Sequence, residues 1–133
     1  MEKLLLVEDE AIIAENTSSI LLKYGYRVTH TFNGDNAVEI ALSDNDVSLI
    51  LMDIDLGKGI NGIEAAEIIS KKRMIPIVFL SNSIELETIK KIENYIPYGF
   101  IPKSTSESFL IISIITALRL FYNYKEQKCT GTE

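Results

Sequence analysis

Five short apolar runs, each followed by a stretch of helical spacing, constrain this 133-residue chain more than any other feature. The runs are Lys3-Leu4-Leu5-Leu6-Val7 and the segments 26–31, 47–53, 77–80 and 98–101. Short continuous apolar runs of this kind read as strands buried on both faces of a parallel sheet. The spacing between them predicts helices over 11–24, 33–43, 63–72, 84–95 and 107–124. Gly25 can close the first helix as a left-handed C′ residue, and Asn33 can cap the second. Five β-α units in a row imply an α/β, doubly wound, five-stranded parallel sheet with right-handed crossovers and five flanking helices. The strand order 2-1-3-4-5 fits, and it makes the first and third strands neighbours.

Three of the runs stop on charge. The first ends on Glu8-Asp9, the third on Asp53, and the fifth, Tyr98-Gly99-Phe100-Ile101-Pro102, on Lys103. In the expected order these residues meet at the carboxyl ends of the strands, where open α/β sheets bind ligands. Clustered carboxylates repel one another unless a cation sits among them, so the pattern calls for a divalent metal and points to phosphoryl chemistry. Singly each residue has a plainer reading. Asp53 alone could end a strand in a solvated turn, Glu8-Asp9 could begin a helix, and Lys103 could be a surface lysine. Their coincidence carries the argument.

The chain has 13 basic and 19 acidic residues, a formal charge of −6 and no Lys/Arg-rich tract, which argues against direct nucleic-acid contact. The lone cysteine, Cys129, excludes an internal disulfide and suits a reducing cytoplasm; in its polar surroundings it reads as incidental. The lone histidine, His30, excludes chemistry that needs a histidine pair and reads as a solvated edge residue. Met1-Glu2-Lys3 opens directly into a strand pattern without a leader sequence. The longest apolar stretch, 109–118, is broken by Ser113 and Thr116 and falls short of the ~20 residues a membrane span needs. The expectation is a soluble cytoplasmic protein with no membrane contact.

The chain resembles the receiver domains of two-component response regulators, which have the flavodoxin-like fold. The resemblance runs over most of its length and rests on Val7-Glu8-Asp9-Glu10, Leu51-Met52-Asp53-Ile54, Asn61-Gly62-Ile63-Glu64, Val78-Phe79-Leu80-Ser81 and Gly99-Phe100-Ile101-Pro102-Lys103. It implies that Asp53 accepts a phosphoryl group from a partner histidine kinase or phosphotransfer protein. It further implies that Asp9, Asp53 and the Asp55 carbonyl bind Mg²⁺, with Glu8 acting through water. By the same resemblance Ser81 and Lys103 bond the phosphoryl oxygens, and Ser81 with Phe100 forms the switch. Such a domain is not an enzyme acting on a separate substrate; it catalyses only its own phosphorylation and dephosphorylation. The general chemistry agrees, because Mg²⁺ takes oxygen ligands and retains waters, and phosphoryl transfer asks chiefly for alignment and charge neutralisation.

Departures from the family pattern are also visible. Ser104 follows Lys103 where proline is usual, so the Lys103–Ser104 bond should be trans. The loop after Asp53 is about one residue longer than the common form, and Asp55 and Asn82 should flank the phosphoryl group. These leave open a degenerate receiver serving only as a protein-interaction module. A haloacid-dehalogenase-like phosphatase is a further alternative, since Asp53-Ile54-Asp55 has that spacing. Against it, Leu56-Gly57 follows and the chain has no room for a cap domain.

In the last helix Ile111, Ile114, Ile115, Leu118 and Tyr122 are expected to face the sheet. Leu110, Ile112, Ala117, Leu120, Phe121 and Tyr124 then lie off that stripe, and a helix apolar all round is not a free surface helix. The expectation is a partner surface, with a homodimer through the last strand and helix. Residues 1–124 are taken as the receiver. Residues 125–133 are taken as a polar tail or the start of a linker to a missing output module, and the polypeptide as either a stand-alone receiver or part of a longer protein.

Overall fold

The computed structural model describes residues 2–82, 89–90, 92 and 98–130, with side chains as far as 127. The elements are β1 (Lys3–Val7), α1 (Ala11–Lys23), β2 (Arg27–Thr31), α2 (Gly34–Ser43), β3 (Val47–Asp53), α3 (Gly62–Lys72), β4 (Ile77–Ser81), β5 (Gly99–Pro102) and α4 (Glu107–Thr130). The strands form one sheet in the order β2-β1-β3-β4-β5, and every pairing is parallel. This is the expected doubly wound architecture. Four helices are described; the one expected over 84–95 falls almost wholly outside the described residues. So does the side chain of Cys129.

Alternation along the strands builds two cores. Leu5 and Val7, Ile50 and Met52, and Ile77 and Phe79 pack with Ala37, Ala41, Ala65, Ala66 and Ile69, from α2 and α3. Leu4 and Leu6, Leu49 and Leu51, and Val78 and Leu80 pack with Ala14 and Leu21 of α1 and with α4. Burial on both faces explains why the strands are apolar at successive positions rather than alternating. The small alanines let α2 and α3 approach the sheet closely.

The helix ends follow local chemistry. Gly25 takes φ +94°, while its N–H donates to the Leu22 carbonyl and that of Tyr26 to the Leu21 carbonyl, both at 3.0 Å. This is the Schellman closure of α1. The Asn33 side chain accepts from the Asn36 N–H at 2.8 Å, as expected of a cap. Asn61 and Glu64 form a capping box at the start of α3.

Two expectations about α4 are corrected. Its helical stretch continues past 124 to Thr130, because Lys125-Glu126-Gln127-Lys128 are good helix formers with no breaker among them. Its inward line is Leu110, Ile111, Ile114, Ala117, Leu118 and Phe121, all buried, whereas Ile115 and Tyr122 are 45% and 46% exposed. The 3.6-residue period from Leu110 passes through 114, 117/118 and 121, one position away from Ile115 and Tyr122. Among the described residues no helix is long and apolar enough to cross a membrane.

Candidate functional site

The ends of β1, β3 and β5 bring together the charges that the sequence separates. Val7 pairs with Met52 and Asp53 with Leu80, so Glu8 and Asp53 stand at one level of the sheet. Both are fully buried, and Ser81, one residue beyond Leu80, is 2% exposed. The Lys103 N–H donates to the Ser81 carbonyl at 2.9 Å, which carries the end of β5 to the same edge. Lys103 Nζ then donates to Asp53 Oδ2 at 2.9 Å and to Glu8 Oε2 at 3.1 Å. Its side chain is only 6% exposed. A buried ammonium thus sits between two buried carboxylates. Among the described residues there is no cis peptide bond, so Lys103–Ser104 is trans as expected.

The other oxygens have defined roles. Asp53 Oδ1 accepts from the Asp55 N–H at 3.0 Å, which orients the carboxylate. Asp9, half-buried, accepts from the Gly57 N–H at 3.0 Å, and Asp55 is exposed. Glu8 Oε1 lies 3.0 Å from Lys103 Nζ in an ion pair and has no hydrogen-bond partner among the described residues. Glu8, Asp9 and Glu10 each offer one carboxylate oxygen within 4.8 Å of the others. Three carboxylates offering hard oxygen donors this close together fit a magnesium-like cation. Phe100, half-buried, packs against the α2/α3-side core.

The electrostatics follow from burial. Burial pushes the Asp53 carboxyl up to about 7; the Lys103 hydrogen bond opposes this, and the Glu8 carboxylate adds to it. Burial pulls the Lys103 ammonium down, but its hydrogen bonds to Asp53 and Glu8 outweigh that and leave its pKa raised. Lys103 therefore stays charged at neutral pH.

Sequence reasoning placed Glu8, Asp53, Ser81 and Lys103 at this edge, and they are there. It did not single out Glu10 as a third carboxylate, although Glu10 directly follows the acidic pair. It also took His30 for a solvated edge residue. His30 is half-buried, with Nε2 2.8 Å from the Glu8 carbonyl, because β2 runs beside β1 and its side chain reaches the β1 end.

A family model described as the response regulator receiver domain matches residues 4–115. The chain belongs to this receiver family. Relatives include the transcriptional regulatory protein YrkP of Bacillus subtilis, 30% identical over 95% of this chain and 53% of its own length. PdtaR of Mycobacterium tuberculosis is 30% identical over 90% of this chain and 58% of its own. The receiver thus spans about half the length of these curated relatives. Among solved structures, the N-terminal domain of a response regulator/sensory box/GGDEF three-domain protein from Carboxydothermus hydrogenoformans superimposes with a TM-score of 0.86. It is 38% identical, over 95% of this chain and all of that one.

Proposed function

We propose that this receiver accepts a phosphoryl group on Asp53 from a phosphohistidine of a partner kinase or phosphotransfer protein in the cytoplasm. The observation that carries this reading is the buried Asp53 carboxylate, held 2.9 Å from Lys103 Nζ at the end of β3. One Asp53 oxygen forms the new bond to phosphorus as the donor's P–N bond breaks. The bonding electrons leave on the donor imidazole, which takes a proton from solvent. Lys103 balances the charge carried by the transferred group, and the Ser81 hydroxyl stands one residue past Leu80 to bond one of its oxygens. Asp9, Asp53 and the Asp55 carbonyl would hold Mg²⁺, with Glu8 acting through water, and the ion when bound neutralises phosphoryl oxygens. The domain turns over no separate substrate.

Intact-mass measurement after incubation with acetyl phosphate and Mg²⁺ is expected to give one phosphoryl adduct. Neither Asp53→Asn nor wild type with chelator should give any. An adduct on the asparagine variant would sink the assignment of Asp53. No adduct on folded wild type, even with kinase, would favour the interaction-module reading.

We further propose that the signal leaves through β5 and α4, where two copies pair. Phe109, Ile112, Ile115, Leu120 and Tyr122 are 45–60% exposed, a large apolar surface for a face open to water. Sedimentation should detect a dimer when a phosphoryl mimic is bound. A monomer with and without the mimic would exclude the homodimer.

A further inference from the structure

We infer that His30 is a positioning residue for the acidic turn, an inference that rests on the Mg²⁺ reading above. The Glu8 carbonyl belongs to the one peptide group that joins Glu8 to Asp9, two of the three carboxylates at the β1 end. A carbonyl oxygen only accepts, so His30 Nε2, 2.8 Å away, must carry the proton and donate. The N–H of Glu8 is held too, donating to the Thr31 carbonyl at 3.1 Å. Both peptide groups of Glu8 are therefore anchored to the end of β2, one through backbone and one through the imidazole. Fixing the Glu8–Asp9 peptide plane fixes where the backbone sends the Asp9 side chain.

The imidazole is itself held in place. Phe32 meets its ring edge-on, with centroids 4.3 Å apart and an interplanar angle of 67°. The chain of contact runs Phe32 to His30, to the Glu8 carbonyl, to the paired acids. Groups that hydrogen-bond a metal ligand without touching the metal commonly set affinity by 10–100-fold; His30 acts one step further out, on Asp9 through the Glu8 carbonyl.

The test is Mg²⁺ affinity measured by amide chemical-shift titration without phosphodonor, alongside thermal unfolding, on wild type and His30→Ala, His30→Asn and His30→Gln. Glutamine places its amide nitrogen near the position of Nε2, whereas asparagine is too short. His30→Ala and His30→Asn are expected to bind Mg²⁺ about tenfold more weakly, and His30→Gln within about threefold of wild type. Equal affinity in all four proteins would overturn the positioning role while leaving the metal site intact. Glutamine as weak as alanine, with the same loss of thermal stability, would also overturn it by reducing His30 to packing. Wild type that binds no Mg²⁺ would instead overturn the metal reading, and this inference with it.

Discussion

Replacing Lys103 by methionine is expected to cost about 3–5 kcal/mol of stability at pH 8, the usual effect of removing one member of a buried ion pair. The stem of methionine fills similar space, so the loss is electrostatic rather than a cavity. Glu8 and Asp53, both fully buried, then face each other with no ammonium between them. Protonation can relieve the repulsion, and the sign follows from Asp53. Its native pKa of about 7 lies above the ordinary aspartate value of 3.8, so the folded state binds the proton more tightly than the unfolded state. The stability this provides is fully present below pH 3.8 and is lost as pH rises through about 7. Without Lys103 the upward shift grows, because the opposing hydrogen bond and charge are gone. The deficit should therefore shrink to roughly 1–2 kcal/mol at pH 5, where Asp53 is protonated. Urea unfolding of both proteins in chelator at the two pH values reads this directly. A pH-independent deficit, or one under about 1 kcal/mol, would mean that Lys103 is not the balancing charge. The variant should also form the acetyl-phosphate adduct about a hundredfold more slowly, the scale of losing one preorganised charge-stabilising group.

The legibility of this site in the sequence has a physical origin. Glu8, Asp53 and Lys103 each end a strand whose burial on both faces leaves a continuous apolar signal, so charge after the run marks the sheet edge. Order 2-1-3-4-5 then brings the first and third strands side by side, as the pairing of Val7 with Met52 records. The face of α4 was less legible because nearly every position from Phe109 to Leu118 is apolar, and such a helix has no single phase to read. Only packing selects Leu110 and Ala117, against β4 and β5, and Phe121, against Tyr98, over the exposed Ile115 and Tyr122. His30 was misread for a different reason. Its partner is a backbone carbonyl, and no residue type in the sequence announces where a carbonyl lies. Gly62 hid a contact in the same way, since Asn61-Gly62 reads as ordinary turn chemistry.

Gly62→Ala is expected to destabilise the domain by about 3 kcal/mol or more, at the upper end of what overpacking costs. Gly62 is the first residue of α3, with no left-handed φ among its properties, so helix propensity alone would favour alanine by about 1 kcal/mol. Sterics decide the other way. A Cβ at this position would lie 2.1 Å from the Asp53 carbonyl oxygen and 2.9 Å from the Ile54 Cα. Both are backbone atoms at the end of a central strand, and neither can rotate aside. The Gly62 N–H also donates to the Ile54 carbonyl at 3.0 Å, so moving α3 away breaks that bond and shifts the segment carrying Asp53. Gly57→Ala is the matched control: its Cβ would meet only Asp9 Oδ2, at 3.1 Å, the end of a half-buried side chain that can turn. That variant should stay within about 1 kcal/mol of wild type. Because the Asn61–Glu64 capping box is untouched, circular dichroism of folded Gly62→Ala should retain its helix content while the unfolding midpoint falls. Equal midpoints for the two glycine variants would show that the close approach of α3 to the Asp53 backbone does not hold that segment in place.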